Sequence, residues 1–435
     1  MNDEGAPRAG ASTERPRFAR TLQERILWGA SALLLVVCAV LIARRFAGPA
    51  PAPLPESAKA AALATIPLAV PQPPASDWLL AHFVAPLPAQ GEPPADWTPI
   101  EGRLDAAACG ACHVRQLEDW QSSWHAQGMG PGVVGQLLDG PEIADAATCQ
   151  RCHAPLAEQL VAPDDDGTAA ALRGDGLSCA GCHVRDHTRS GPPKADGTAP
   201  MEGAPHDGFV AQEAFGDARF CQSCHDFEAG QRTLEGKLLQ ETWAEWARTD
   251  YAQDGVSCQD CHMPEGRHLW KGVHDPDMVR SAFTATATWA RAGEKLTASL
   301  EVTNTGAGHR FPTYTTPQIT LRMEQLDAAG APIAGTSREG AIARRVKPDL
   351  TEELFDTRLL PGERHVLAYD APLSPLATAV RAVVECWPDE GYSRFYTIKL
   401  RDPDWAPNGR ALIRTALERA NASRFVAWEQ TDPLP

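Results

Sequence analysis

Positive charge is scarce in this chain. Its 435 residues include 40 Lys and Arg against 56 Asp and Glu, which gives a formal net charge of −16 at pH 7. The deficit argues against nucleic-acid binding and against charge-driven binding to anionic lipid, because both interactions need a cationic surface. It favours protein partners that present a basic docking face.

Charge of either sign is missing from one N-terminal stretch, where residues 26–43 form an apolar run of 18 residues. As a helix this run is about 27 Å long, just enough to cross the bilayer core. Arg44 and Arg45 follow it directly, which fits a cleaved signal peptide, the alternative interpretation, less well. The sequence therefore predicts a transmembrane anchor at residues 26–45.

The flanking residues indicate how this anchor is oriented. Residues 1–25 are polar and contain five Arg, more than directly follow the run, so they are predicted to form a cytoplasmic tail. The bulk of the chain then lies on the far side of the inner (cytoplasmic) membrane, in the periplasm of a Gram-negative cell. Residues 46–77 are rich in Pro and Ala and are predicted to form an extended, semi-rigid linker.

Ten of the twelve cysteines occur in five copies of C-x-x-C-H, the signature of c-type haem attachment. In this signature two thiols bond the porphyrin edge and the adjacent His ligates the iron. The copies comprise Cys109, Cys112 and His113; Cys149, Cys152 and His153; Cys179, Cys182 and His183; Cys221, Cys224 and His225; and Cys258, Cys261 and His262. They predict five covalently attached haem c groups.

Paired cysteines also occur in zinc sites, which use C-x-x-C units, and in disulfides, of which ten cysteines could form five in an oxidising compartment. Neither zinc nor a disulfide requires a His directly after the second Cys of every pair, whereas haem attachment does. Haem is therefore the favoured interpretation.

The five motifs lie close together, between Cys109 and His262. Each haem has too little chain to be wrapped separately, so the haems are expected to pack against one another and to form much of the core. Residues 78–280 are accordingly predicted to be a mainly α multihaem cytochrome domain with short helices, long loops and little or no sheet. Close packing of haems is also what rapid electron hopping requires.

Eight histidines outside the motifs are candidates for the second axial position of each iron. Those predicted as iron ligands, beside the motif histidines, are His125, His206, His268, His274 and His309. Residues 114–124 predict a helix that separates His125 from His113 by about 18 Å, so His125 would serve a different iron.

Two further histidines, His187 and His82, are not among these predicted ligands. His187 lies four residues after His183, so on one helix the two would share a face and would not bind the same iron. It is an alternative to His268 as a ligand to another haem, or else a solvated side chain. His82 is predicted to be a packed or surface histidine.

Two segments carry a family resemblance. Residues 109–125, which end in WQSSWH, and residues 241–264, which run from ETWAEW to CQDCHMP, resemble the multihaem cytochrome c superfamily. That superfamily includes the tetrahaem electron acceptor of hydroxylamine oxidation and, more distantly, the cytochrome c nitrite reductases. The resemblance spans residues 105–280 and implies that His125 is a distal ligand. It does not imply nitrite reduction, because the catalytic C-x-x-C-K pentad of those reductases is missing here.

Alternating or β-rich runs separated by turn residues dominate the chain after residue 280. They are residues 282–290, 295–304, 318–326, 364–369 and 380–387. The pattern predicts a C-terminal all-β sandwich domain over residues 281–435. Cys386 is expected to be buried in the last run, and residues 412–420 are expected to form a closing helix.

One loop of this C-terminal region contains a histidine that is a candidate haem ligand. His309 lies between Gly308 and Arg310, and Pro312 follows closely and restricts the loop. A similar G-x-G-H-x-x-P-T-like loop occurs beside the haem region in relatives of the superfamily. His309 is therefore predicted to leave the β region and ligate a haem, and Arg310 to pair with a propionate. A solvated turn histidine is the alternative.

These features together predict a membrane-anchored, periplasmic pentahaem cytochrome c that transfers electrons between redox partner proteins through mostly bis-His haems. The alternative is an oxidoreductase that converts a small nitrogen or sulfur compound at one open haem, with Arg310 and Tyr314 as candidate distal groups. A haem-based ligand sensor is a third interpretation, but no signalling segment is visible. Eight spare histidines for five irons make an open site unnecessary.

Overall fold

The structure of the protein is a computed structural model that describes residues 75–83, 87–138, 143–160, 172, 174–194, 197, 203–227 and 233–435. The predicted cytoplasmic tail, the predicted transmembrane anchor and nearly all of the predicted linker lie outside these residues. Within the described ranges, no helix combines the length and the apolar character needed to cross a bilayer.

Short helices joined by loops make up the described chain as far as Ala282. In chain order they are α1 (Asp77–His82), α2 (Ala106–Gly110), α3 (Val114–Gln121), α4 (Pro131–Leu137), α5 (Ile143–His153), α6 (Ala157–Leu160), α7 (Cys179–His183), α8 (Arg219–His225), α9 (Thr242–Trp246), α10 (Asp250–Gln253), α11 (Cys258–His262) and α12 (Pro276–Ala282). The longest of these, α5, has 11 residues. This agrees with the predicted pattern of short helices and long loops.

Sheet structure is minor in this part of the chain, as predicted. The small strands are β1 (Val184–Arg185), β2 (Thr188–Gly191), β3 (Val210–Ala211), β4 (Thr233–Leu234) and β5 (Lys237–Leu238). Strands β1, β2 and β3 form one small sheet, and β4 pairs with β5 in a hairpin.

Side-chain caps set where two of the motif-bearing helices begin. Asp105 accepts a hydrogen bond from the backbone N–H of Ala108 at the start of α2, the helix that contains Cys109. A capping box starts α11, because Ser257 and Asp260 each pair with the backbone of the other. These caps satisfy N–H groups that the helix itself leaves unpaired. The helical turn that carries each of these two motifs therefore begins at a defined residue.

The helix predicted over residues 114–124 ends earlier, at Gln121. The hydroxyl of Ser122 donates to the carbonyl oxygen of Asp119 at 2.6 Å. Such serine-to-backbone hydrogen bonds compete with the helical ladder, so the chain turns before His125. The predicted helical separation between the first motif and His125 was therefore wrong.

Two antiparallel sheets follow α12. Their strands are β6 (Phe283–Ala292), β7 (Lys295–Asn304) and β12 (Arg364–Pro372), in the order β12-β7-β6, and β8 (Gln318–Leu326), β9 (Arg338–Ile342), β13 (Ala379–Trp387) and β14 (Phe425–Pro433), in the order β14-β13-β8-β9. A separate pair consists of β10 (Arg344–Val346) and β11 (Glu353–Asp356). Every run predicted as a strand is one, whereas β9, β10, β11 and β14 were not predicted.

Both sheets contribute to one hydrophobic core. Leu296 and Leu300 of β7 and Ile319 and Leu321 of β8 are fully buried in it. Burial of each such side chain stabilises the fold by about 1.5–3 kcal/mol relative to exposure. Cys386 of β13 is buried in the same core, as predicted. Two sheets around a shared core agree with the sandwich interpretation.

The prediction that this region is all β was wrong in one respect, because two helices follow β13. They are α13 (Glu390–Lys399) and α14 (Arg410–Ala422), of which only α14 was anticipated. Helix α14 packs against α4 of the helical part, where two glycines approach closely. A Cβ built on Gly409 would lie 1.8 Å from the carbonyl oxygen of Gly135, so this contact requires glycine at residue 409.

Buried ion pairs also join the helical part to the sandwich. Glu245 of α9 pairs with Arg358 at 2.7 Å, and their side chains are 0% and 1% exposed. Lys237 of β5 pairs with Glu353 at 2.7 Å and with Asp356 at 2.8 Å. These contacts hold β10, β11 and the segment after them against β5 and α9, the elements that follow the fourth motif.

Candidate functional site

Cysteines of different motifs lie next to one another. Thiol contacts join Cys109 with Cys179, Cys152 with Cys224, and Cys221 with Cys258. Within the described ranges, no disulfide joins any two of the cysteines. In the same part of the chain, no group of three or more His, Cys, Asp or Glu side chains is arranged to hold a metal ion.

Four of the five motif histidines are hydrogen-bonded through Nδ1. The partners are the carbonyl oxygen of Gly128 for His153 (2.7 Å), that of Ser190 for His183 (2.7 Å), that of Lys271 for His262 (2.5 Å) and the hydroxyl of Tyr314 for His225. A carbonyl oxygen only accepts, so in the first three Nδ1 must carry the proton and Nε2 keeps its lone pair. Metal-ligating histidines are oriented in this way.

Three motif histidines have a second imidazole ring close to them. The ring centroids are 6.1 Å apart for His183 and His268, 6.2 Å for His225 and His125, and 6.4 Å for His262 and His309. Two imidazoles that each bind one iron at about 2 Å have ring centroids about 6 Å apart. The spacing of all three pairs therefore fits an iron between the rings.

Burial favours the neutral form of both imidazoles in the pair of His225 and His125. It lowers the pKa of His225 to about 4, with repulsion from His262 and His309 adding to the effect. It also lowers the pKa of His125 to about 3. Since only a neutral imidazole offers a lone pair to a metal, His225 and His125 are in the ligand form at neutral pH.

Backbone contacts hold the turn that presents His125. The indole N–H of Trp120 donates to the carbonyl oxygen of Leu177 at 2.9 Å, and the backbone N–H of Leu177 donates to the carbonyl oxygen of His125 at 3.1 Å. Nδ1 of His125 is buried without a hydrogen-bond partner, and the ring lies 4.7 Å from that of Trp270. The ring of His125 is therefore positioned by its backbone and by Trp270, without a protein partner at Nδ1.

An ion pair positions His268. The carboxylate of Asp119 accepts hydrogen bonds from Arg267 through both of its oxygens, and one of these oxygens also accepts from the backbone N–H of His268 at 3.1 Å. Asp119 belongs to α3, directly after the first motif, whereas the ring opposite His268 is His183 of the third motif. A helix next to one motif thus helps to place the candidate ligand of another.

His309 is presented by the loop between β7 and β8. Its carbonyl oxygen accepts from the side-chain amide of Asn304 at 3.0 Å, and its Nδ1 donates to the carbonyl oxygen of Arg310 at 2.8 Å. The ring planes of His309 and His262 differ by 12°. Glycine at 308 keeps this loop close to α10, because a Cβ there would lie 3.0 Å from the ring of Tyr251.

Two of the predicted ligands, His206 and His274, are placed differently. Nε2 of His274 lies 3.0 Å from the carboxylate of Asp389, and its ring lies 3.9 Å from that of Trp124. His206 lies in a single 3₁₀ turn, where its Nδ1 donates to the carbonyl oxygen of Gly208 at 2.8 Å. Neither ring faces a motif histidine within the described part of the chain.

Two motif histidines, His113 and His153, also have no histidine ring opposite them among the described residues. His187 is also not paired with a motif histidine. Both of its ring nitrogens are buried and lack hydrogen-bond partners. It lies in the turn between β1 and β2, with a φ of 60°, since α7 ends at His183. The prediction of a helical face shared by His183 and His187 was therefore wrong.

His82 is a packed side chain, which agrees with one of the two roles predicted for it. It is buried, its ring stacks on Trp78 at 4.1 Å, and its Nε2 donates to the carbonyl oxygen of Cys182 at 2.7 Å. This bond ties α1 to the second thiol position of the third motif.

The candidate distal groups of the enzymatic alternative lie elsewhere. The hydroxyl of Tyr314 contacts Nδ1 of His225, on the side of the ring that faces away from an iron bound at Nε2. Arg310 is buried, its Nη1 donates to the carbonyl oxygen of Arg358 at 3.2 Å, and its Nε has no partner. Tyr314 therefore contacts the ring nitrogen of His225 that an iron at Nε2 would leave free.

Comparison with known proteins adds a structural similarity to these observations. No family model and no curated protein matches this chain. Among solved structures, the chain is similar to a penta-heme cytochrome c552 from Thermochromatium tepidum, with a TM-score of 0.55 and 19% identity, over 78% of this chain and 100% of that chain. The fold is that of a multihaem cytochrome c. At this level of identity the likeness shows the fold alone.

One feature of this multihaem cytochrome fold was not predicted from the sequence. The hydroxyls of Thr242 and Thr313 lie 2.7 Å apart, and that of Thr313 donates to the carboxylate of Glu245 at 3.1 Å. Thr242 and Glu245 belong to the ETWAEW segment, which was noted only for its resemblance. The sequence around Glu245 contains no signal that this carboxylate is buried. Its burial depends on partners from another region of the chain.

Proposed function

We propose that this protein is a pentahaem c-type cytochrome that transfers electrons between redox partner proteins. Each C-x-x-C-H motif holds one haem c through two thioether bonds and one histidine. The haem, when bound, supplies one-electron chemistry at the iron. The chain supplies the axial ligands, the positions of the attachment points and the surroundings that set each potential.

The observation that carries this proposal is the set of three opposed imidazole pairs. In each pair a motif histidine faces a histidine from a distant part of the chain, at 6.1 to 6.4 Å between ring centroids. Ligation by two histidines fills both axial positions of an iron, which favours electron transfer over binding of a substrate. The adjoining thiols of different motifs support close spacing of the haems.

Attachment to the inner membrane and the identity of the partners are part of the same proposal. The predicted helix at residues 26–45 anchors the chain, and the domain that follows lies in the periplasm, where c-type haems are attached. Net charge supports partners with a basic docking face, because the chain carries −16 before any haem propionate is added.

The mature protein is expected to exceed its polypeptide mass by five haem masses and to be reduced and reoxidised reversibly. Because neighbouring haems interact, the titration should extend over a broad range of potential. Intact-mass spectrometry and a spectroelectrochemical titration measure the two properties. A variant in which Cys258 and Cys261 are replaced by Ser is the matched control, and it should lack one haem mass. A wild-type protein of unmodified mass that contains zinc would overturn the proposal.

The same preparation separates the electron carrier from the enzymatic alternative. An electron carrier with its axial positions filled should show negligible turnover of nitrite and of hydroxylamine. Its oxidised room-temperature spectrum reports any high-spin haem. Robust turnover, together with a high-spin signal that substrate bleaches, would replace electron transfer by the oxidoreductase as the proposed function.

Deletion of residues 1–47, with a cleavable secretion signal supplied, is expected to yield a soluble protein that contains all five haems. The physical reason is that the deletion removes the apolar run and leaves every attachment motif intact. Membrane fractionation and haem quantification check this result, with the full-length protein in the membrane fraction as the control. Native protein that is processed near residue 47 and free of the membrane would contradict the anchor.

A further inference from the structure

The proximal histidine of the fourth motif has an unusual partner. His153, His183 and His262 donate from Nδ1 to peptide carbonyl oxygens, which only accept hydrogen bonds. An iron at Nε2 leaves the proton of His225 on Nδ1, so His225 donates instead to the hydroxyl of Tyr314. A phenol that accepts one hydrogen bond still has a proton to donate. The hydrogen bond from His225 can therefore be the first of a chain of hydrogen bonds that extends into the protein.

A chain of hydroxyl groups continues it. The phenol of Tyr314 is hydrogen-bonded to the hydroxyl of Thr242, which lies 2.7 Å from the hydroxyl of Thr313. Thr313 donates to one carboxylate oxygen of Glu245 at 3.1 Å, and Arg358 donates to the other at 2.7 Å. With each hydroxyl donating to the next group, the chain runs in one direction, from the imidazole to a carboxylate.

The hydroxyl chain ends at a buried carboxylate, where solvent screens charge little. Its last member, Glu245, is 0% exposed and its partner Arg358 is 1% exposed, so water does not screen the carboxylate. Burial raises the pKa of the Tyr314 phenol and outweighs the hydrogen bond with Thr242, which lowers it, so the phenol keeps its proton. Tyr314 also has a φ of 66°, a conformation that a bulky residue keeps only when its contacts hold it.

We propose that Tyr314 is a positioning residue for the fourth motif, which links the imidazole of His225 to the buried carboxylate of Glu245 through Thr242 and Thr313. The proposal rests on the proposed function, because it concerns the haem of that motif. Hydrogen bonds in a chain polarise one another, and a partner on the outer nitrogen makes an imidazole a stronger ligand. The hydroxyl chain therefore stabilises the oxidised iron and lowers the potential of this one site.

Tyr314→Phe is expected to raise the potential of one haem in five and to leave four unchanged. The substitution keeps the ring and removes the acceptor at Nδ1 of His225. We expect reduction of that haem to become about tenfold more favourable, which corresponds to about 59 mV for one electron. Thr313→Val keeps Tyr314 and breaks the chain in its middle, so a smaller shift in the same direction is expected. Spectroelectrochemical titration and the low-spin electron paramagnetic resonance signals provide the readouts.

Tyr369→Phe is the matched control, because it also removes a buried hydroxyl, here one that accepts a hydrogen bond of 3.0 Å from Gln325 inside the sandwich. It should leave all five potentials unchanged. Five unchanged potentials in Tyr314→Phe, or an equal shift in the control, would overturn the inference. If Tyr314→Phe does not take up haem, the potentials of Thr313→Val test the inference instead. Unchanged potentials in Thr313→Val would then overturn the proposed role of the hydroxyl chain. A wild-type protein without five haems would instead overturn the proposed function.

Discussion

His309→Ala is expected to convert one haem of five from low spin to high spin and to leave the other four unchanged. The ring of His309 lies 6.4 Å from that of His262, nearly parallel to it, and the substitution removes the second of these two imidazoles. An iron with one histidine and an empty or water-filled position becomes high spin. Low-temperature electron paramagnetic resonance and the room-temperature absorption spectrum measure the change.

The same substitution should loosen the contact between the sandwich and the helical part. An iron bond through His309 would join a loop of the sandwich to α11, and the neighbouring hydrogen bond from Thr249 to the carbonyl oxygen of Gly308 is long, at 3.2 Å. Limited proteolysis reports the loosening. His365→Ala is the control, since His365 lies on β12 and not in a motif, and it should keep five low-spin haems. An unaltered low-spin spectrum in His309→Ala would rule out the ligand role.

Arg358→Met is expected to lower the free energy of unfolding by about 3–5 kcal/mol, because it leaves the buried carboxylate of Glu245 without its cation and leaves Asp356 with Lys237 alone. Arg358 is 1% exposed and pairs with Glu245 at 2.7 Å and with Asp356 at 2.9 Å. Met keeps most of the side-chain volume, so the loss reports charge and hydrogen bonding rather than a cavity. Denaturant unfolding followed by circular dichroism gives the difference from the wild-type protein.

A surface pair of the same chemistry provides the control for this measurement. Arg364 pairs with Glu301 at 3.1 Å, with side chains that are 66% and 39% exposed. Water and salt screen such a pair, so Arg364→Met should cost less than about 1 kcal/mol. Equal losses in the two variants would show that burial of the Arg358 pairs is not what stabilises the interface.

The Arg358 pairs also predict how stability depends on pH. Burial alone would raise the pKa of Asp356, but the hydrogen bonds and charges of Arg358 and Lys237 outweigh it and hold that pKa far below its usual value. A carboxyl whose folded pKa is depressed contributes stability above its unfolded pKa of about 3.9 and loses it progressively as pH falls below that value. Arg358→Met should weaken this acid dependence as well as the stability at neutral pH.

Strands are the elements that local sequence predicted best. Residues 295–304 and 318–326 were assigned from their alternating, β-rich pattern, and the structure has strands with those bounds. Alternation succeeds here because one face of each strand enters a shared core, which forces a period of two on the sequence. Strands β10 and β11 were not predicted, because runs of three and four residues contain too little alternation to detect.

The candidate ligands show which parts of the site could be predicted from the sequence. The histidines at 125, 268 and 309 were all predicted as ligands, and each has a motif ring opposite it. Sequence did not indicate which motif each would face, because every partner lies far away along the chain. His274 was predicted on the same grounds, yet its Nε2 lies beside Asp389, a residue in the turn before α13 that had no predicted role.

By itself the sequence determined the haem-attachment motifs and the strands of the sandwich core, since both depend on residues that are neighbours along the chain. Only the tertiary structure decided that Tyr314 meets His225 and that Arg358 meets Glu245. A buried polar group must find a partner wherever packing brings one within reach, and here packing brings loops of the sandwich against the fourth motif. The sequence around Tyr314 or Arg358 does not predict these contacts, because they form only when two distant regions of the chain pack against each other.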